Sequence, residues 1–269
     1  MAKKKFERPQ LKNVEELSEE LVLTSLKLSQ ANQRLREEQA ARNDMFTSIS
    51  HDLRSPLTAI KNAVELLSSM EECSSEKVSS LLKMMAGRID TLEHLINDIF
   101  LLVSLDNNCA KIDLKPIQLG FFLEDFFFSR EEDSLYKDRN LELLVPEDLD
   151  VYVNMDPAQM ERVLDNLFTN AYKYSDKDAT ISLDATLKDN EIIISVKDTG
   201  IGIAKENLEK VFERCFIVET ARTPGVSSTG FGLAITKSII EHFNGKIWCE
   251  STLGEGSCFY ISLPCEGKE

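Results

Sequence analysis

From Val14 onward, apolar side chains recur at three- and four-residue intervals, at Leu17, Leu21, Leu28, Ala31 and Leu35 and then at Met45 and Ile49, among Glu, Lys, Arg and Gln. That spacing predicts a helix with a coiled-coil seam. After the polar stretch from Glu71 to Lys77, a second seam runs through Leu82, Met85, Ile89, Leu92, Ile96, Ile99 and Val103. The two seams predict an antiparallel helical hairpin whose apolar stripe one copy cannot bury. Two-fold pairing into a four-helix bundle, hence a homodimer, is the simplest remedy.

Beyond Asn107 the pattern turns to mixed helix and strand. Ala179 to Thr186 and Glu191 to Val196 read as two antiparallel strands joined by Lys188-Asp189-Asn190. Asp156-Pro157 opens a helix with an acidic cap and a proline in the first turn, continuing through Met160, Val163, Leu164 and Leu167. Lys246 to Glu250 and Ser257 to Leu263 are two further strands, separated by Gly254-Glu255-Gly256. Helices on one face of a mixed sheet follow, so the expected fold is a multidomain α+β chain: coiled coil and helical hairpin, then an α/β sandwich. The expected domains are 1–43, 44–106 and 107–269.

Composition narrows the function classes. With 42% hydrophobic and 29% charged residues, the 269-residue chain has enough apolar content for a sizeable core. Its net charge of −15 opposes general binding to nucleic acid or to an anionic membrane surface. The six cysteines (Cys73, Cys109, Cys215, Cys249, Cys258 and Cys265) form no Cys-x-x-Cys pair, which points to reduced thiols in a cytoplasmic protein rather than zinc or disulfides. No charge-free run of about 18 apolar residues is present, so no membrane span is expected in this chain.

One segment of the first helix departs from a bare coiled-coil spacer. In Ser50-His51-Asp52-Leu53-Arg54-Ser55-Pro56-Leu57, the proline predicts a bend and a freed backbone carbonyl just after the histidine. If Ile49 is on the seam, His51 is two residues off it and faces solvent. A neutral imidazole followed by a carboxylate can act as a nucleophile, because Asp52 accepts the proton of one ring nitrogen and leaves the other a free lone pair. His94 and His242 have no such surroundings and read as ordinary helix residues.

Four signals in the second half suit a nucleotide. Asn166, Asn170 and Lys173 share one helix face, and amide oxygens with an ammonium suit magnesium bound to phosphates. Asp198-Thr199-Gly200-Ile201-Gly202-Ile203 ends an apolar strand with glycines that admit a flat ligand, and its aspartate can accept from an amine such as adenine N6. Thr229-Gly230-Phe231-Gly232-Leu233-Ala234-Ile235 opens a helix whose free amides favour phosphate. Between those loops, Glu219 to Ser228 reads as a mobile lid. Gly254 to Phe259 is a turn into the last strand.

The His51 segment, the Asn166/Asn170/Lys173 helix, the Asp198 loop, Val211-Phe212-Glu213-Arg214, Gly230-Phe231-Gly232-Leu233-Ala234 and Gly254-Glu255-Gly256-Ser257 resemble, in order, the boxes of a two-component sensor histidine kinase. The resemblance covers about residues 44 to 265. It implies a dimerisation and phosphotransfer hairpin followed by an ATP-binding domain of the Bergerat type shared with gyrase and heat-shock protein 90. His51 would accept the phosphoryl group and Asp52 would orient it. Asn166 would bind magnesium, Asn170 and Lys173 the phosphates, Tyr174 the nucleotide's edge and Asp198 the adenine amine. Thr229 and Leu233 would also contact ATP, and Gly200, Gly202, Gly230 and Gly232 would shape pocket and lid. The implied reaction is ATP-dependent phosphorylation of His51, then transfer to an aspartate of a response regulator.

The sequence departs from the family at four positions. Cys215 stands where an aromatic is usual and Ile217 near where a second arginine is usual, which removes a phosphate or lid contact. Ser55 replaces the common threonine or asparagine that positions a hydrolytic water, and Ala204 replaces a common proline. A catalytically weak ATP-binding scaffold therefore stands as an alternative, and an ATP-driven clamp as a third reading that leaves His51 without a use.

Overall fold

The computed structural model describes residues 7–69, 74–107, 109–146, 148–216 and 230–267. Side chains are described from residue 20, except at 37–38, 41–42, 44–45 and 266–267. The chain divides into two compact units, Met1–Asp52 and Leu53–Glu269.

Helix α1 spans Glu7–Ser69 and α2 spans Ser75–Asp106. The helix continues through Pro56, where the sequence pattern predicts a bend. The bond that the proline cannot donate is one in a 63-residue ladder, and the turns on either side hold their helical form. Along α1, Ile49, Pro56 and Ala63 are buried at seven-residue intervals. Leu21, Leu28 and Leu35 are also seven apart but exposed. Val14, Leu17 and Met45 lie outside the described side chains. On α2 the seam divides: Met85, Leu92 and Ile99 are half-buried, whereas Leu82, Ile89, Ile96 and Val103 are exposed.

After α2, β1 (Lys115–Gln118) runs antiparallel to β3 (Val151–Met155), which also pairs with β8 (Glu266–Gly267). Between them, α3 (Leu119–Glu131) buries Leu119, Leu123, Phe126 and Phe127. The Gln118 side chain caps this helix by accepting from the Phe121 N–H. The second sheet has the order β2-β4-β5-β7-β6, comprising Asn140–Leu144, Thr180–Lys188, Glu191–Asp198, Gly256–Pro264 and Lys246–Thr252. Only β2 and β4 are parallel. The four strands expected from the pattern are all present, with every end within two residues of the expected one, and the sandwich they belong to is the expected one.

Helices α4 (Pro157–Lys173) and α5 (Gly232–His242) pack on one face of this sheet. Asp156 caps α4, accepting from the Ala158 and Gln159 N–H groups while its other oxygen accepts from the Asp113 N–H. Met160, Val163, Leu164 and Leu167 enter the core as the spacing predicts.

Candidate functional site

In the first unit, Ile49 is buried while the His51 side chain is 80% exposed. The two positions separate as the seam predicts, since two residues advance a helix by about 200°. His51 Nδ1 lies 3.3 Å from Asp52 Oδ1, and Asp52 itself is 24% exposed. With the proton on Nδ1, the ring donates to the carboxylate and Nε2 keeps an unshared pair toward solvent. The second Asp52 oxygen is buried and has no hydrogen-bond partner among the described residues.

In the second unit, the C-terminal half of α4, the loop after β5 and the start of α5 surround a cavity of 820 Å³. Of the expected site residues, Asn170, Tyr174, Asp198, Gly202 and Leu233 line it. Its remaining wall is mainly apolar, formed by Ile201, Ile203, Val211, Phe216, Leu253 and Phe259. A size within the range of small-molecule sites and a few polar groups on an apolar wall suit a flat heterocycle.

Asp198, at the end of β5, is 4% exposed. Burial pushes its carboxyl up to about 6, and hydrogen bonds from the backbone of Gly200 and Ser257 pull in the opposite direction. Gly200 has no room for a side chain, because a Cβ would stand 2.2 Å from the Tyr174 carbonyl oxygen. That carbonyl accepts from the Ile201 N–H at 2.9 Å, which ties the loop to the end of α4.

Lys173 is half-buried, has no ion-pair partner among the described residues, and its amine is pushed down by desolvation. An ammonium without a carboxylate to neutralise it remains available to an anionic ligand. Asn166 does not line the cavity. Its amide nitrogen donates to the Gly232 carbonyl at 3.2 Å and to Thr236 Oγ1 at 3.4 Å, which leaves its carbonyl oxygen to accept. Gly200, Gly230 and Gly232 do not line the cavity, and Gly230, at φ +68°, accepts from the Cys215 N–H at 3.0 Å. Thr229, Ile217 and the lid from Glu219 to Ser228 lie outside the described residues. Sequence reasoning did not single out Ile201, Leu253, Phe216, Glu206 or Asn207 as lining residues; they come from separate segments, and no local pattern joins them.

A family model described as His Kinase A (phospho-acceptor) domain matches residues 41–108, and one described as Histidine kinase-, DNA gyrase B-, and HSP90-like ATPase matches residues 155–267. The chain belongs to the histidine kinases. It is 35% identical over 230 residues to the sensor protein kinase WalK of Staphylococcus saprophyticus, a match covering 85% of this chain and 37% of the relative. The chain therefore spans little more than a third of that histidine kinase's length. Two solved histidine kinases share its fold. AdeS of Acinetobacter baumannii has a TM-score of 0.63 at 22% identity, covering 81% of this chain and 98% of the other. ThkA, solved with the response regulator protein TrrA, has a TM-score of 0.67 at 21% identity, covering 85% and 63%. Among the described residues, no helix is long and apolar enough to cross a membrane.

Proposed function

We propose that this chain is the catalytic core of a two-component sensor kinase, transferring the γ-phosphoryl group of ATP to His51 and then to an aspartate of a response regulator. Nε2 of His51 forms the P–N bond as the bond to the ADP oxygen breaks, and the phosphoramidate later yields the group to a carboxylate oxygen. The observation that carries the reading is the exposed His51 held against Asp52, in a chain whose other half encloses an 820 Å³ cavity with Asp198 and Asn170 in its wall.

Residues 1–43 serve as the signal helix, 44–106 as the dimerisation and phosphotransfer domain, and 107–269 as the ATP-binding domain. Asp198 accepts from the adenine amine, and Tyr174, Gly200, Gly202 and Leu233 form the bed for the base. Asn170 and Lys173 hold phosphates, while Thr229, Gly230 and Gly232 bound the lid. The free carbonyl oxygen of Asn166 fits a hard cation, and magnesium needs few protein ligands because it keeps water and phosphate oxygens. Bound magnesium would neutralise phosphate charge. The exposed seam residues support a homodimer, and the partner class is the receiver domain of a response regulator, in line with the complex of ThkA with the response regulator protein TrrA. A cytoplasmic location follows from that chemistry.

Incubation with magnesium and γ-labelled ATP tests the reading. Acid-labile, alkali-stable label that disappears in His51→Gln while ATP binding persists is the expected result. The missing second arginine near Ile217 favours the scaffold alternative. ATP binding without any label would establish that alternative instead.

A further inference from the structure

Arg139 belongs to no motif and stands immediately before β2, yet its side chain is only 6% exposed and is bonded on every side. Its Nη2 donates to the carbonyls of Tyr172 at 3.3 Å and Ser175 at 2.9 Å. Nε donates to Ser175 Oγ at 3.2 Å, and Nη1 donates to the Asp138 carbonyl at 3.1 Å and pairs with Asp138 Oδ1 at 2.9 Å. The guanidinium carbon lies 4.5 Å over the Tyr172 ring, and that ring meets Tyr136 edge-on with centroids 5.7 Å apart. A helix C-terminus leaves carbonyls unpaired and carries partial negative charge, so a buried cation is stable there.

The carbonyls that this fork holds bracket Lys173 and Tyr174. Tyr174 lines the cavity, and its own carbonyl accepts from Ile201 of the opposite loop. One side chain thus fixes the turn that carries the phosphate-side residues and, through it, the loop of Asp198. We propose that Arg139 is a positioning residue of the nucleotide site: by clamping residues 172–175 it sets the gap between Asn170, Lys173 and Tyr174 on one side and Asp198 to Ile203 on the other. The proposal rests on the nucleotide-binding reading above. It requires a planar fork and a stacking face, so charge alone does not suffice. Lysine in its place keeps the charge but cannot hold two carbonyls and cover a ring together.

The experiment is calorimetric titration of the full chain with a non-hydrolysable ATP analogue, together with its melting temperature, for wild type, Arg139→Lys, Arg139→Gln and Arg130→Gln. Arg130 binds α4 elsewhere, through Asp165 and Glu161, and touches no group lining the cavity. Both Arg139 variants are expected to weaken binding about tenfold, while the phosphorylation rate of Arg139→Lys at saturating ATP stays within about threefold of wild type. Arg130→Gln is expected to lower the melting temperature and leave affinity within about twofold. Wild-type affinity in both Arg139 variants overturns the proposal, as does a loss of affinity that tracks melting temperature equally at both arginines. A wild type that binds no analogue overturns the nucleotide reading itself.

Discussion

The Asp198 carboxylate accepts a hydrogen bond from the Gly200 N–H at 2.8 Å, within a wall so closed that burial still holds the acid at about 6. Because this value lies above the ordinary 3.8, the folded chain binds the proton more tightly than the unfolded chain. The group's contribution to stability is fully present below about 3.8 and is lost as pH rises through about 6. At neutral pH the ionised form then costs the fold about 3 kcal/mol. Asp198→Asn should recover part of that cost, raising the melting temperature by several degrees at pH 7.5 and by about a third as much at pH 4.5. The same change should weaken ATP binding. Wild-type affinity should itself fall as pH drops through about 6, where Asp198, the acceptor proposed for the adenine amine, is protonated, while the variant stays flat. Thermal unfolding and ATP titration across this pH range check both halves.

Identical substitutions at two glycines should have opposite signs. A Cβ at Gly200 would press within 2.2 Å of the Tyr174 carbonyl oxygen, a backbone atom that cannot swing aside. Gly200→Ala must lift the loop from α4 and break the Ile201-to-Tyr174 bond, so ATP affinity should fall by about tenfold or more. Gly87, in the middle of α2, has nothing within 4 Å of the same atom. Gly87→Ala should stabilise by about 0.5–1 kcal/mol, the ordinary gain of alanine over glycine in a helix. Melting temperatures and nucleotide titrations of the two variants separate these effects.

Elements that carry local chemistry were the ones legible in the sequence. Asp156-Pro157 announced α4, because an acidic cap and a proline at the first helical position act within one turn. The Lys188-Asp189-Asn190 turn announced the β4–β5 hairpin, and Asp189 indeed takes a positive φ of 55°. Ile49 and His51 parted between core and solvent because seam periodicity fixes both. The phenylalanine-rich α3 was not resolved, since Phe121 to Phe128 suits a strand by residue type and only packing of Leu123, Phe126 and Phe127 makes it a helix. The three-stranded sheet depends on β3 meeting chain from near both ends of the second half, which leaves no local trace. Arg139 was invisible for the same reason, as its partners lie some 35 positions downstream.

The ion pairs differ in worth because they differ in exposure. Arg130 is 17% exposed and reaches Asp165 Oδ1 through two nitrogens, at 2.8 and 2.6 Å. Desolvation nonetheless pushes the Asp165 carboxyl up against the pull of that arginine, so the pair compensates a burial cost more than it adds net stability. Arg130→Gln should therefore cost about 1–3 kcal/mol, mostly by leaving the acid unpaired. Arg214, which meets Asp106 at 2.6 Å, is 44% exposed against a partner 33% exposed. Water already screens both groups, and Arg214→Gln should cost less than about 1 kcal/mol. Urea unfolding of the two variants at low and high salt checks the order, and equal losses would refute the exposure argument.

Leu82, Ile89, Ile96 and Val103 follow one another at seven-residue intervals along α2 and are 53%, 46%, 42% and 43% exposed. Leu21, Leu28 and Leu35 keep the same interval on α1 at 72%, 64% and 57%. A full apolar side chain is worth about 1.5–3 kcal/mol when buried, so half-exposed residues in heptad register leave a large unrealised gain along each helix. A second copy recovers it with the same stripe, because a two-fold interface matches a surface to itself. Replacing Ile89 and Ile96 together by aspartate should turn a dimer into a monomer in sedimentation velocity at tens of micromolar. Glu93→Lys, at an exposed polar position on the same helix, should leave the dimer intact. ATP binding belongs to the other domain and should survive in the monomeric variant, whereas a bundle needed for phosphotransfer would take the His51 label with it. A wild-type chain that sediments as a monomer would refute the two-fold bundle.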